Sequence, residues 1–513
     1  MAADTARRLR NFPGGLALPE NKEAATARPI LPLPYSGELI LALHQHAGEP
    51  AEPVVSAGAR VLKGELLAKP SSYVSAAIHA PTSGIIRGIA ERRVPHPAGR
   101  RAPCILLEPD GRDAMVDPEP VADWENADPA RLRERVRDAG IVGLGGASFP
   151  SHVKLAPARP VELLILNGAE CEPYISCDDM LMRERARDVV DGARIMLRAL
   201  GAPRCTIAIE DNKPQAKAAL RAALDAVGDE RLELVLVPSI YPEGGERQLI
   251  QTLTGREVPS GGLPLDIGLV CHNVGTAAAV ADAVLRGLPL IARIVTVAGG
   301  GVKEQRNVEA LIGTPICDLV YACGGYTDAA ERLIMGGPMM GFALQSDAIP
   351  IVKATNCILV AARDEIEVQK NPLPCIRCGE CAAVCPASLL PQQLYWHARA
   401  GEWDRVVAYD LFDCIECGCC DYVCPSHIPL VSWFRHAKSE IRAQRAERAR
   451  SDHARERFEA RQERLQRAQA EREERLRRKQ ESLAADGRKA EIEAAIERAK
   501  ARKSSAGEGG KDA

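Results

Sequence analysis

The sequence predicts a multidomain chain of mixed α/β and α+β architecture, and three observations carry that expectation. Strand-like and helix-like segments alternate between residues 126 and 290. Two short runs between residues 366 and 438 repeat one cysteine spacing, each closed by a proline. Beyond about residue 439 the apolar content collapses into Glu, Arg, Lys, Gln and Ala.

Length and composition bound what these segments can be. A chain of 513 residues has room for roughly three to five ordinary domains. Hydrophobic residues make up 46%, ample for real cores, and the formal net charge of −3 argues against nucleic acid as a partner. Eight of the seventeen cysteines fall in the two tight runs, which suits metal binding in a reducing compartment better than a disulfide framework. Residues 1–7 lack an apolar signal core, and no apolar stretch approaches the roughly 18–20 residues needed to span a bilayer. The expectation is a chain soluble in the cytoplasm, meeting a membrane only through a partner.

Taken in order, residues 29–125 read as a small β domain. Short β-like runs there are punctuated by Ala57-Gly58, Lys63-Gly64 and Pro81-Thr82-Ser83-Gly84. Residues 126–290 read as an α/β layer with a mainly parallel sheet, with strands at 163–166 and 206–210 and helices at 179–200 and 215–227. Residues 291–365 turn β-like again around 294–298 and a glycine-rich stretch at 335–341, a small α+β domain. In the tail, 439–513, Phe458, Leu465, Leu476 and Leu483 lay a thin apolar stripe on a charged helix. A solvated helix laced with i,i+4 charge pairs, or partial disorder, accounts for it. A docking helix for a partner or an anionic membrane surface is the sharper alternative. Residues 504–513 read as a flexible end.

The cysteine runs are Cys375, Cys378, Cys381 and Cys385 before Pro386, and Cys414, Cys417, Cys420 and Cys424 before Pro425. A cubane cluster wants one thiolate per iron. Three cysteines at i, i+3 and i+6 wrap one cluster, and the fourth points to the other. By that crossing rule one [4Fe–4S] cluster takes Cys375, Cys378, Cys381 and Cys424, and the second takes Cys414, Cys417, Cys420 and Cys385. Structural zinc, which needs only four ligands in two separated pairs, fits the repeated unit poorly. Cys419 is an extra thiol beside Cys420, and only Cys420 preserves the spacing. The other eight cysteines read as small buried residues. Two clusters without a substrate residue beside them form a relay, so electrons must enter from elsewhere.

Gly143, Gly145 and Gly146 would let backbone amides approach a phosphate, with Lys154 adding positive charge. On its own this loop reads equally as a glycine turn. The strand at 163–166 runs into Asn167-Gly168-Ala169-Glu170-Cys171-Glu172-Pro173, polar groups where α/β sheets bind ligands. Glycine-containing polar loops recur at 241–246 and 272–276, each also readable as an ordinary connection.

These motifs carry a resemblance. Gly143-x-Gly145-Gly146-Ala147-x-Phe149-Pro150 with Lys154 resembles the flavin-binding loop of the NADH-oxidising subunit of respiratory complex I. Asn167-x-x-Glu170-x-Glu172-Pro173 resembles that subunit's loop between flavin and nicotinamide, and Gly244-x-Glu246 and Asn273-Val274-x-Thr276 its later flavin contacts. Over residues 10–440 the whole order of modules resembles the RnfC family, a component of the Rnf (Rsx) ion-translocating electron transport complex. The fold it implies is a barrel-sandwich (lipoyl-like) β domain at 29–125, a Rossmann-like FMN/NADH domain at 126–290 and a β-grasp-like soluble ligand-binding domain at 291–365. A double-cluster ferredoxin-like domain at 366–438 and the charged helical tail follow.

The resemblance implies an NADH:ferredoxin-type oxidoreductase subunit, active within its complex. It would be peripheral on the cytoplasmic face of the inner membrane, beside membrane subunits. It would take hydride on FMN near Glu172 and pass electrons through two clusters to RnfB, the ferredoxin-like component of the same complex. The cofactor contacts it implies are Gly143, Gly145, Gly146, Lys154, Asn167, Glu170, Glu172, Glu246, Asn273 and Thr276. The chain departs from complex I at Ala169, Gly245, His272 and Gly275, where fewer polar contacts remain. Two rivals stay open: a flavin-free docking and relay subunit, and a cobalamin-reducing subunit of a metabolic microcompartment. The β domain also resembles lipoyl carriers, but its hairpin tip, Pro70-Ser71-Ser72-Tyr73-Val74, lacks their lysine, which implies packing or docking instead of a swinging arm.

Overall fold

The computed structural model describes residues 9–33, 37–366 and 371–505. Residues 1–7 and the end beyond 505, on which two expectations fell, lie outside the described residues. The chain divides into two compact units, Met1–Ala437 and Lys438–Ala513.

In the first unit the N-terminal β domain pairs a four-stranded antiparallel sheet with a three-stranded one. The larger orders Leu39–Ala42, Arg101–Pro109, Gly84–Arg93 and Arg60–Val61. The smaller orders Glu52–Pro53, Leu66–Lys69 and Ile78–His79. Alternate residues turn inward, so Leu39, Leu41, Leu67, Ile78, Ile86, Ile105 and Leu107 fill one core. The hairpin tip is pinned: the Tyr73 carbonyl lies 3.1 Å from His152 Nε2, and the two rings meet edge to face at 5.8 Å.

The next layer is a parallel four-stranded sheet ordered Leu232–Val237, Cys205–Glu210, Leu163–Gly168 and Leu269–Asn273. Helices Ala186–Leu200 and Val274–Leu285 cover one face. The helix expected over 179–200 is two, Cys177–Glu184 and Ala186–Leu200, broken at Arg185 with φ −128° and ψ 33°. The cause is tertiary: the Arg185 guanidinium is drawn to Asp188 and Asp282 at 2.8 and 2.7 Å, and to Glu309 at 3.8 Å.

A six-stranded mixed sheet follows, ordered Leu31–Pro32, Arg306–Leu311, Ala292–Ala298, Cys357–Ala362, Ala330–Met335 and Phe342–Ala343. Helix Ile316–Ala322 packs on its core of Val295, Val297, Val308 and Ile358. Leu31–Pro32 comes from the segment expected for the first β domain but pairs in parallel with Arg306–Leu311. The second unit continues the helix Leu430–Ser505. Phe458, Leu465, Leu476 and Leu483 are exposed on it, and i,i+4 pairs such as Glu474–Arg478 at 2.6 Å lace its surface.

Lys353 ties three of these modules together. Its side chain is fully buried, and Nζ donates to the carbonyls of Ala77 and Gly140, each at 2.6 Å. Burial alone lowers this amine's pKa from 10.5 to about 7. Across the window between those two values the unfolded chain holds a proton that the folded chain has shed, so stability rises with pH there. We expect the stability difference between wild type and Lys353→Met to move in the wild type's favour as pH climbs through that window. Urea titrations at a series of pH values read it, and a pH-independent difference refutes it.

Candidate cofactor sites

The two cysteine loops are built on one backbone plan. Left-handed φ angles recur at matching positions: Arg377 and Glu416 (59° and 58°), Gly379 and Gly418 (87° and 82°), Ser388 and His427 (51° and 49°). Each loop then enters a short helix, Glu380–Ala383 or Cys419–Tyr422. The turns curl the chain so that cysteines near in sequence face one hollow. Cys375, Cys378 and Cys381 line a cavity of about 310 Å³ together with Cys424 from the second loop. Cys414, Cys417 and Cys420 line a smaller one, about 20 Å³, together with Cys385 from the first.

The donor chemistry of both cavities fits an iron–sulfur cluster. Among the described residues no Asp, Glu or His lines either one, so the ligands they offer are soft thiols. Backbone N–H groups donate to sulfur, from Leu389 to Cys385 Sγ at 3.3 Å and from Glu416 to Cys414 Sγ at 3.4 Å. Such bonds stabilise thiolates and tune cluster potential. The two hollows differ in exposure. Cys378 is exposed in the first, whereas Cys417 and Cys420 are buried in the second. Cys419 is a fifth thiol lining the second hollow. Around Cys417 and Cys419 pack Tyr241, Cys171, Met339, Leu16 and Val384, drawn from several modules.

The predicted nucleotide residues gather at the carboxyl ends of the central parallel strands. Asn167 and Asn273 are register partners on neighbouring strands. The glycine-rich loop closes by a bond from Gly143 N–H to the Phe149 carbonyl at 2.8 Å, and Leu144 N–H donates to Thr276 Oγ1 at 2.9 Å. Gly145 faces Asn273, and at Gly146 φ is +110° with nothing within 4 Å of where a side chain would begin. Lys154 donates to Glu246 Oε1 at 2.8 Å and to the Cys271 carbonyl at 3.1 Å. Asn167 Nδ2 donates to the Gly244 carbonyl at 2.9 Å. Beside them His272 is buried with Nε2 unpartnered, and burial first, then Lys154, lowers its pKa to about 3. An open glycine turn, a lysine and a neutral imidazole with an unpaired buried nitrogen fit a phosphate-bearing group.

Two predicted carboxylates are already engaged by main chain. Glu170 accepts from Asp178 N–H at 2.9 Å and Asp179 N–H at 3.2 Å, capping the first turn of Cys177–Glu184. Glu172 Oε1 accepts from Met339 N–H at 2.8 Å and Met340 N–H at 3.0 Å, in the glycine-rich stretch of the mixed sheet. Sequence reasoning missed Asp178, which accepts from Asn273 Nδ2 at 2.6 Å; burial, then Glu170, pushes its carboxyl up to about 7. Its signal was an acidic residue in the first turn of the helix that follows the Glu170 loop.

An open glycine-rich turn at the carboxyl edge of a parallel sheet, with two thiol-lined cavities, defines a class of protein able to hold a nucleotide and iron–sulfur clusters. Comparison with known proteins agrees. Residues 10–112 match the RnfC barrel sandwich hybrid domain, 136–282 the Nuo51 FMN-binding domain, 294–343 the SLBB domain and 374–428 the 4Fe-4S dicluster domain. The chain is 52% identical over 461 residues to the RnfC component of the ion-translocating oxidoreductase complex of Pseudomonas aeruginosa, covering 90% of this chain and 59% of that one. The corresponding Yersinia pestis component is 45% identical over 461 residues, covering 90% and 74%. The chain therefore belongs to the RnfC family of the ion-translocating oxidoreductase complex. It spans 59% of the length of the Pseudomonas relative. It also overlays an NAD+-reducing [NiFe]-hydrogenase in the H2-reduced state with TM-score 0.43 at 22% identity, over 59% of this chain and 61% of that one. Among the described residues no helix is long and apolar enough to cross a membrane.

Proposed function

We propose that this chain is the peripheral electron-input subunit of a membrane-bound ion-translocating complex, on the cytoplasmic side. It oxidises NADH and delivers electrons to a ferredoxin-like subunit. The observation that carries the reading is the crossed assembly of two thiol-lined cavities in a chain whose central sheet ends in an open glycine-rich turn. Bound FMN would convert a two-electron hydride donor into single electrons, and [4Fe–4S] clusters would carry them one at a time.

The chain's own residues position that chemistry. Gly143, Gly145 and Gly146 would admit the flavin phosphate, with Lys154, Asn273 and Thr276 lending the nearby polar groups. Asn167 and Glu246 shape the same edge of the sheet. Cys385, Cys414, Cys417 and Cys420 would hold an inner cluster, in a loop whose Cys417 carbonyl accepts from the Tyr241 hydroxyl. Cys375, Cys378, Cys381 and Cys424 would hold an outer one beside exposed Ile376, with exposed Leu373 two residues before Cys375 and exposed Tyr422 two before Cys424. Exposed apolar groups around a solvent-reaching thiol suit contact with a redox partner.

An anaerobic visible spectrum with iron and flavin assays, before and after NADH, tests the reading. About eight irons and one FMN per chain, bleached by NADH, support it. Lys154→Glu is expected to weaken FMN binding at least about tenfold and abolish the bleaching, since a second carboxylate then faces Glu246 and the phosphate. Unchanged FMN content in that variant moves the flavin elsewhere. A flavin-free relay is the second reading, favoured by Ala169 and Gly245 and by the main-chain engagement of Glu172. About eight irons without flavin or NADH response would select it.

A further inference from the structure

The two cysteine loops share a backbone plan but differ in the polar groups set against their sulfurs. Matched by their left-handed turns, Cys381 corresponds to Cys420, Ala382 to Asp421 and Gln392 to Val431. Each of the two matched cysteines, Cys381 and Cys420, has a polar side chain against its thiol. In the inner loop it is a carboxylate, with Asp421 Oδ1 3.8 Å from Cys420 Sγ. In the outer loop it is a neutral amide, with Gln392 Oε1 3.5 Å from Cys381 Sγ. Asp421 belongs to the cysteine loop itself, whereas Gln392 stands in the first turn of the helix Pro391–Ala400.

The carboxylate is held in place. Val431 N–H donates to Asp421 Oδ1 at 3.0 Å, and Val431 is buried in the wall of the inner cavity beside Phe434. Arg435, a cation that acts on Asp421, is shared with Glu416, whose Oε2 it meets at 2.9 Å. The inner loop thus carries Glu416 and Asp421 where the outer loop has Arg377 and Ala382. Surroundings add to the contrast, since Cys417 and Cys420 are buried and Cys378 is exposed, so water screens charge less at the inner cavity. The N–H groups of Leu389 and Glu416 that reach Cys385 and Cys414 act the other way, but they are dipoles and the carboxylate is a whole charge.

We propose that Asp421 and Gln392 are matched positioning residues that hold the two clusters at different reduction potentials, the inner below the outer. Reducing a cluster adds negative charge. A carboxylate against the Cys420 sulfur opposes that charge and lowers the potential. An amide against the Cys381 sulfur can turn an N–H to the thiolate, which favours the charge and raises it. The passage of an electron from the buried cavity to the exposed one is then downhill. The inference rests on reading the eight cysteines as two clusters.

The test is an EPR-monitored redox titration of the anaerobic full chain in alkaline buffer. Asp421→Asn keeps an oxygen for the Val431 N–H and loses the charge. It is expected to raise the lower of the two midpoint potentials and leave the higher one in place. Gln392→Glu is expected to lower the higher midpoint and leave the lower one, so that the two substitutions together narrow the gap from both sides. Unmoved midpoints with iron content intact overturn the inference, as does a rise confined to the higher midpoint in Asp421→Asn. A rise in Asp421→Ala that Asp421→Asn does not share would trace to the lost Val431 bond and also overturn it. Wild-type protein without two EPR-active clusters would instead defeat the cluster reading beneath it.

Discussion

Replacing Cys420 by serine is expected to halve the bound iron, from about eight to about four per chain, while replacing Cys419 leaves it near eight. Burial cannot separate these adjacent thiols, since both are buried and both line the inner cavity. The repeated backbone separates them. Cys420 follows left-handed Gly418 by two residues, as Cys381 follows left-handed Gly379, so Cys419 occupies the position that Glu380 holds in the first loop. Cys419 also packs among Tyr241 and Cys417. Iron and labile-sulfide analysis of the anaerobically purified variants reads the difference. Iron loss in Cys419→Ser with retention in Cys420→Ser would transfer the ligand role. Cys424→Ser extends the test: it should bleach the outer cluster, although it belongs to the second run. Loss of the inner cluster there would refute the crossed assignment.

The cysteine spacing was readable because a cluster loop is a local object. Its turns, thiols and closing proline lie within about a dozen residues. Strands such as Leu163–Gly168 were readable for the same reason, as buried apolar runs bounded by polar turns. What sequence pattern missed was made by distant partners. The break at Arg185 depends on Asp282 and Glu309, far along the chain. Glu172 sits in a motif that resembles a nucleotide loop, yet it accepts N–H groups from Met339 and Met340, which no local pattern connects to it. Leu31–Pro32 was assigned to the first β domain by proximity, while its hydrogen-bonding partner is Arg306–Leu311. The cradle residues were nameable one by one. That Asn167 and Asn273 would be register partners needed the strand order, which crosses the chain.

Gly192→Ala is expected to destabilise the flavin-type domain by about 2 kcal/mol or more and to weaken FMN retention with it. The sign runs against helix propensity. Gly192 lies inside Ala186–Leu200, where alanine ordinarily gains about 1 kcal/mol over glycine. Here a Cβ would fall 1.9 Å from the Ala277 carbonyl oxygen and 2.4 Å from its carbon, so the facing helix Val274–Leu285 must shift bodily. Backbone cannot rotate out of the way as a side chain can, and the interior around it is close-packed. That helix begins at Asn273, whose side chain caps it by accepting from Gly275 N–H at 2.7 Å, and it carries the Thr276 hydroxyl that receives Leu144 N–H. A shift therefore moves both groups relative to the glycine-rich loop. Urea unfolding and FMN retention through gel filtration should fall together. A gain in stability with FMN retained, the result expected for a solvent-facing glycine, would mean that the two helices can separate without disturbing the cradle.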